Sequence, residues 1–153
     1  MVSVRRDLDE LDRRLLALLE RDGRQTFEEL GRTVGLSRPA IHERVKRLVA
    51  AGVVRRFAAV LDWEAIGLAI TAFLWIRTEA ASCAAVARAI AELASDDARI
   101  EEVHRVAGDW SLLVKVRTPS LPALLAFGDV VRAEPGVVAT TTTVVLETIA
   151  EDT

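Results

Sequence analysis

Leucines recur every three or four residues in the stretch 7–21, a spacing that places them on one face of a helix. The leucines predicted to face inward are Leu8, Leu11, Leu15, Leu18 and Leu19. Asp7 is the predicted cap, and Asp9 and Glu10 suit the positive start of the helix. The pair Asp22-Gly23 is expected to end it.

The stretch 26–56 predicts a second helix, a tight turn and a third helix. The second helix buries Phe27, Leu30 and Val34 on one face. Gly35 is expected to end it, because glycine enters the left-handed conformation without steric cost. Ser37 is predicted to cap the third helix through its side chain, with Pro39 in the first turn, where a missing N–H is harmless.

The third helix combines an apolar face with a basic one. The residues predicted to face inward are Ile41, Val45, Leu48 and Val49. The residues outside that stripe include Arg38, His42, Arg44, Lys46 and Arg47. A basic helix after a short turn is how helix-turn-helix proteins present side chains to the DNA major groove. The alternative is an ordinary helical hairpin with a solvated charged surface.

A strand is predicted for 53–61, which would complete a winged helix-turn-helix. Arg55 and Arg56 lie at its start. They would either contact backbone phosphates or only keep the surface soluble, and both interpretations remain open.

From residue 68 onward the pattern alternates between strands and helices. The predicted strands are 70–77, 100–106, 110–116 and 137–149, and the predicted helices are 81–93 and 119–132. The last helix would bury Leu121, Leu124, Leu125 and Phe127. This β-α-β-β-α-β order is the ferredoxin-like arrangement, so the whole chain is expected to have an α+β fold. Because the strands carry apolar residues on both sides, a second copy is predicted to cover the free face and form a homodimer through 68–153.

Charge divides the chain in the same way. Residues 1–60 hold 13 Lys and Arg against 9 Asp and Glu, a net charge of +4, whereas residues 61–153 hold 7 against 14, a net charge of −7. Phosphate attracts the first half and repels the second. We therefore expect a DNA-binding domain at 1–60, a linker at 61–67 and a second domain at 68–153.

Composition argues against several other classes of protein. The longest apolar stretch, 66–76, has 11 residues and is too short to cross a bilayer. Charged residues near the N-terminus do not fit a signal peptide, and a single cysteine, Cys83, excludes an intramolecular disulfide framework and a cysteine-rich zinc site. The expectations are a cytoplasmic protein with no membrane contact, no metal and no resident cofactor.

Four segments in order resemble the Lrp/AsnC family of leucine-responsive, or feast/famine, regulators. They are 8–24, 29–62, 103–116 and 134–147. The resemblance implies a winged helix-turn-helix joined to a ligand-sensing αβ-sandwich domain, also called a RAM domain. It also implies dimers that assemble further, to tetramers or octamers, and that bind amino acids or related small molecules between dimers.

The resemblance extends to single positions of the third helix. The residues that match the recognition-helix segment are Ser37, Arg38, Pro39, His42, Arg44 and Lys46. Arg44 matches a family arginine, which implies a DNA contact, although an internal salt bridge, for example to Glu28 or Glu29, competes with that interpretation. Residues in the first turns suit base edges, whereas Lys46 and Arg47, further along, suit phosphates.

A second set of matches implies an effector pocket. Gly108-Asp109 matches the family's turn beside the pocket, with His104 in the strand before it and Trp110 directly after it. Thr140 and Thr142 match Ser/Thr positions of the last strand and alternate onto one face. The alternatives are a plain hairpin turn, good strand formers and a packed histidine. Where the family tends to have a further aspartate, this chain has Ser111.

The expected function is sequence-specific DNA binding by a transcriptional regulator whose assembly or DNA affinity responds to a small molecule, an amino acid. One alternative is an architectural DNA-binding protein without an effector. Another is an enzyme, because siroheme decarboxylases resemble this family in both halves. Only His104 and Arg105 would serve such chemistry in the segment 103–113, and the second histidine, His42, falls in the other predicted domain. We therefore expect no enzymatic activity.

Overall fold

The computed structural model describes residues 8–93, 95 and 97–150. Contacts between residues divide them into two compact units, 8–60 and 61–150. Each unit has a hydrophobic core of its own.

The first unit consists of three helices. They are α1 (Glu10–Arg21), α2 (Phe27–Val34) and α3 (Arg38–Ala50). The fully or almost fully buried residues of its core are Leu15, Leu30, Val34, Ile41, Val45 and Leu48. The inward positions predicted for α2 and α3 are confirmed at these residues of the two helices, and Phe27 packs half-buried against them. Val49 is the exception, with an exposed fraction of 45%. Val49 lies about 100° around the helix from Leu48, outside the buried stripe.

Helix α1 begins later than the spacing of its leucines predicts. Asp9 is its cap, and the side chain of Asp9 accepts from the backbone of Asp12 while Asp12 accepts in return from the backbone of Asp9. This reciprocal pair satisfies N–H groups that the first turn would otherwise leave unpaired. The predicted cap, Asp7, lies outside the described residues.

The turn between α2 and α3 depends on two glycines. Gly35 has a φ of 76°, which confirms the predicted left-handed end of α2. Gly31 is the second, because a Cβ built on it would lie 2.5 Å from the carbonyl oxygen of Leu36. Ser37 is the residue that precedes α3, as predicted, but its side chain makes no capping hydrogen bond, so the predicted capping role is wrong.

The predicted wing strand is wrong for the described residues. After α3, the N–H groups of Val53 and Val54 donate to the carbonyl of Leu48 at 2.9 and 3.3 Å, and 55–61 has no regular secondary structure. A strand forms only where a partner strand accepts its hydrogen bonds. The described part of 8–60 contains no other strand, so it offers no such partner.

The second unit has the predicted β-α-β-β-α-β order. Its elements are β1 (Ile70–Thr78), α4 (Cys83–Glu92), β2 (Arg99–Arg105), β3 (Leu112–Thr118), α5 (Leu121–Ala133) and β4 (Val137–Val144). The strands form one antiparallel sheet in the order β2-β3-β1-β4. This order confirms the ferredoxin-like α+β fold.

The two helices share one core with one face of the sheet. Buried residues of β1 and β3 alternate along each strand and pack against α4 and α5. The buried positions of α5 are Leu124, Phe127, Gly128 and Val131. Leu121 and Leu125, predicted to face inward, are 53% and 71% exposed, and that part of the prediction is wrong. The stripe continues toward Val131, which fits the period of 3.6 residues better than the predicted pair does.

The other face of the sheet carries an apolar patch beside a charged one. Phe73 and Trp75 of β1 and Leu113 of β3 are half-buried members of the apolar patch. In the charged patch, Glu101 contacts the Lys115 ammonium at 3.2 Å and the Arg117 guanidinium at 2.9 Å. None of the helices among the described residues is long and apolar enough to cross a membrane.

Candidate DNA-binding and effector sites

Helix α3 presents a row of exposed polar side chains. Arg38, His42 and Lys46 follow one another at intervals of four residues, so they lie along one side of the helix. Within the described ranges, neither Arg38 nor Lys46 forms an ion pair. The His42 ring packs edge-on against Phe27, with 5.5 Å between the ring centroids. Ser37 and Pro39 are exposed beside the first turn.

Two other arginines of α3 are engaged by α1. The Arg44 Nη1 donates to Asp9 Oδ2 and to Asp12 Oδ1, each at 2.7 Å. The Arg47 Nη2 donates to both carboxylate oxygens of Asp12, at 2.8 and 2.7 Å. The side chain of Arg44 is 24% exposed and that of Arg47 is 60% exposed.

The internal salt bridge considered for Arg44 is present, but with other partners than those predicted. Glu28 lies 3.5 Å from Arg32, and Glu29 caps α2 through Thr26. Both are therefore occupied within α2, and neither of these two examples is the partner of Arg44. The DNA contact proposed for Arg44 stays a prediction.

Asp12 is the residue of this unit that the sequence pattern missed. Its side chain is 2% exposed, although it carries a carboxylate. The signal was its position, four residues after Leu8 and three before Leu15, which places an acid within the apolar face of α1. A carboxylate buried there needs cationic partners, and α3 supplies them.

The ion pairs change proton affinities in the expected directions. The hydrogen bond from Arg44 lowers the pKa of Asp9, and the backbone N–H of Asp12 lowers it further. The same contact with Asp9 raises the pKa of Arg44. Both groups therefore stay charged across the neutral range.

Arg55 and Arg56 are exposed just after α3. They line one side of a groove of about 800 Å³, whose apolar walls include Leu16, Leu19 and Phe57. Both arginines are without an ion-pair partner among the described residues. Their contact with phosphates stays a prediction.

In the second unit, the turn between β2 and β3 borders an open cavity of about 250 Å³. Its lining includes Thr78, Cys83, Arg105, Gly108 and Trp110. Gly108 has a φ of 118°, a backbone conformation that favours glycine. The Thr78 hydroxyl is buried and has no hydrogen-bond partner among the described residues. An unpaired buried hydroxyl beside a cavity is suited to bind a polar group of a ligand.

Ser111 takes part in building this cavity. Its Oγ accepts from the backbone N–H of Thr78 at 3.1 Å, and its N–H donates to the Ile76 carbonyl at 2.9 Å. The Arg77 guanidinium lies 5.8 Å from the centre of the Trp110 ring. A serine at position 111 therefore joins the turn to the end of β1 without adding charge.

Within one chain, the residues predicted for the effector site do not all meet. Gly108 and Trp110 line the cavity, whereas Asp109 and the other predicted residues do not. The His104 Nε2 lies 2.6 Å from Glu102, and this contact lowers the pKa of Glu102. Thr140 and Thr142 share a face, as predicted, and Thr140 accepts weakly from Arg132. The sequence pattern gave no signal for Thr78 and Cys83, because both come from distant segments.

Comparison with known proteins decides the family. A model of the AsnC-type helix-turn-helix domain matches residues 8–49, and a model of the Lrp/AsnC ligand binding domain matches residues 71–153. The chain belongs to the Lrp/AsnC family. The two matched models correspond to the three-helix unit and to the unit that contains the antiparallel sheet. No group of three or more metal-binding side chains occurs within the described residues of this regulator.

Relatives of this Lrp/AsnC regulator match it over nearly its whole length. The HTH-type transcriptional regulator FL11 of Pyrococcus abyssi is 38% identical over 98% of this chain and 97% of its own. The feast or famine regulatory protein of M. tuberculosis, complexed with L-methionine, is 34% identical, with a TM-score of 0.82 over 95% and 96% of the two chains. A transcriptional regulator of Neisseria meningitidis, also an L-Met complex, is 27% identical, with a TM-score of 0.82 over 94% and 93%.

Proposed function

We propose that this Lrp/AsnC regulator binds duplex DNA sequence-specifically through α3, and that an amino acid changes its assembly or its DNA affinity. The observation that carries the DNA part is the exposed row Arg38, His42 and Lys46 on the second helix of a helix-turn-helix. That row lies in the half of the chain with a net charge of +4. Ser37 and Pro39 flank its start.

The positions along α3 suggest different contacts. Arg38 and His42 lie in the first two turns, which commonly reach base edges, and arginine suits the two acceptors of guanine. Lys46 lies one turn later, where phosphates are the nearer partner. Arg55 and Arg56, which are exposed just after α3, are assigned to phosphates on the same ground.

We infer that the working unit is at least a homodimer. The apolar patch on the free face of the sheet, with Phe73, Trp75 and Leu113, would be covered by the same patch of a second copy. Two copies would present two α3 helices to successive half-sites. Further assembly to tetramers or octamers is implied by the family resemblance.

The first prediction concerns Arg38. Arg38→Ala is expected to lower the preference for the selected sequence over a scrambled duplex roughly tenfold to hundredfold, because a guanine contact is lost. Fluorescence anisotropy measures both affinities, with a sequence that the wild type selects from a random pool. Arg88→Ala, which removes the same charge from an exposed position of α4, serves as the control. Equal losses in the two variants would contradict the base contact.

The cavity beside the β2–β3 turn supports the effector part of the proposal. It offers the Arg105 cation, the Thr78 hydroxyl and the Trp110 ring, and its described lining contains no carboxylate. A carboxylate pairs with arginine, whereas a basic side chain would find no partner. We infer that a neutral amino acid binds there through its carboxylate, and the L-methionine complexes of two relatives support the same class.

The second prediction concerns ligand-induced stability. Neutral amino acids, with methionine among them, are expected to raise the melting temperature of the sheet unit, and lysine and arginine are not, because a ligand stabilises the state that binds it. A thermal-shift screen of the twenty amino acids measures this. Thr78→Val keeps the shape of the side chain and should reduce the shift, whereas Thr148→Val, at an exposed position after β4, should not. A screen in which no amino acid raises the melting temperature would refute the sensor role.

We further propose that this regulator has no enzymatic activity and acts in the cytoplasm. The relatives are named transcriptional regulators rather than enzymes. The cytoplasm is proposed because a DNA-binding regulator must reach the chromosome.

A further inference from the structure

The contacts between α1 and α3 have a consequence for DNA recognition. The Asp12 carboxylate is 2% exposed and contacts both Arg44 and Arg47. The more exposed Asp9 adds a second contact to Arg44 at 2.7 Å. These two carboxylates join the start of α1 to the second half of α3.

Two of the five basic side chains that the sequence places on the outside of α3, Arg44 and Arg47, are therefore already paired with carboxylates of α1. Charge-assisted bonds of 2.7–2.8 Å between a guanidinium and a carboxylate are among the stronger polar contacts in proteins. Releasing Arg44 toward a phosphate would leave the buried Asp12 carboxylate with only one of its two cationic partners, which is costly. Arg38, His42 and Lys46 have no such restraint from α1.

We propose that Asp12 is a positioning residue for DNA recognition, which holds α3 through Arg44 and Arg47 and keeps their charge from the DNA. Sequence discrimination then depends on the exposed residues Arg38, His42 and Lys46. If Arg44 and Arg47 were not paired with α1, their charges would attract the phosphates of any DNA sequence equally. Arg44 acts through Asp12 and Asp9 rather than by touching DNA. This inference rests on the proposed DNA-binding function.

The decisive variant is Asp12→Asn, which keeps the shape of the side chain and removes its charge. Binding of the full-length variant to the selected and to the scrambled duplex is measured at several salt concentrations. We expect the preference for the selected duplex to fall about tenfold, and the salt dependence on the scrambled duplex to steepen by about one released counterion. A purely structural loss would weaken both affinities together and leave their ratio and the salt slope unchanged.

Glu10→Gln is the matched control, because it removes the same charge from the first turn of α1. The Glu10 side chain is 80% exposed and pairs only loosely with Arg13, at 3.8 Å. We expect this variant to keep the wild-type ratio of affinities for the selected and scrambled duplexes. Equal ratios in D12N and E10Q would overturn the proposal.

Two further variants keep the test decisive if D12N does not fold. Asp9→Asn preserves the helix cap, since asparagine caps well, and releases one of the two contacts of Arg44. D9N should lower the preference for the selected duplex and steepen the salt dependence on the scrambled duplex, as D12N does. A folded D9N protein with the wild-type preference would count against the proposal. Arg44→Gln should lower discrimination at an unchanged salt slope, whereas a slope shallower by about one would show that Arg44 contacts phosphate directly.

One outcome separates this inference from the function on which it rests. A wild-type protein that shows no preference for any selected duplex would refute sequence-specific binding itself. A wild-type protein with a clear preference that D12N and D9N retain would refute only the positioning role of Asp12.

Discussion

Gly31→Ala is expected to destabilise the helix-turn-helix unit by about 2 kcal/mol. A Cβ at this position would lie 2.5 Å from the Leu36 carbonyl oxygen, which belongs to the backbone and cannot rotate away. Overpacking of this kind costs about 1–3 kcal/mol, and the better helix propensity of alanine returns up to about 1 kcal/mol. For a unit of this size, the loss corresponds to a decrease in melting temperature of roughly 10 °C.

The chain offers a matched control and separate probes for this prediction. Gly128 lies in α5, where an added Cβ meets nothing within 4 Å, so Gly128→Ala should stabilise the sheet unit slightly. All three tryptophans lie at 63, 75 and 110, so fluorescence follows the second unit, whereas circular dichroism at 222 nm follows the helices of both. G31A should shift the dichroism transition and leave the fluorescence transition in place. A G31A protein as stable as wild type would contradict the tight packing of the turn.

Trp75→Glu is expected to convert the protein to a monomer and to weaken binding to the selected duplex by a factor of about 10²–10⁴. Trp75 lies in the apolar patch on the free face of the sheet, opposite Leu113 and Thr141 on the neighbouring strands. A glutamate there would bury a charge in the proposed dimer interface. Each copy would then bind with one α3 alone, so the gain from linking two binding modules is lost.

Light scattering measures the oligomeric state and anisotropy measures the affinity. Leu125→Glu is the control, because Leu125 is 71% exposed on α5 and lies on the opposite side of the sheet from Trp75. It should keep the dimer and its DNA affinity. A W75E protein that remains dimeric, or that binds the selected duplex as a monomer with full affinity, would contradict a dimer through this face.

Local patterns predicted most of the elements, because the causes of those elements are local. The spacing of apolar residues identified α2 and α3, and Gly35 marked the end of α2 through its positive φ. The order of strands and helices from 68 onward identified the ferredoxin-like sheet. The wing strand at 53–61 was predicted from composition alone, and β-propensity does not form a strand without a partner.

The sites were harder to predict, because they depend on contacts between distant segments. Arg44 was placed on the outside of α3, yet its partners come from α1, 32 and 35 residues away. Thr78 borders the cavity at the β2–β3 turn because β1 pairs with β3 and the Ser111 hydroxyl accepts a hydrogen bond from the Thr78 backbone N–H. Helical periodicity gives no information on such pairings.

The proposed function depends on the recognition of a DNA sequence by α3 of this Lrp/AsnC regulator. The wild-type protein is allowed to select duplexes from a random pool, and its affinity for the selected sequence is compared with that for a scrambled duplex at about 0.15 M salt. We expect a preference of at least about 10³ for the selected sequence. Equal affinities for the two duplexes would contradict it.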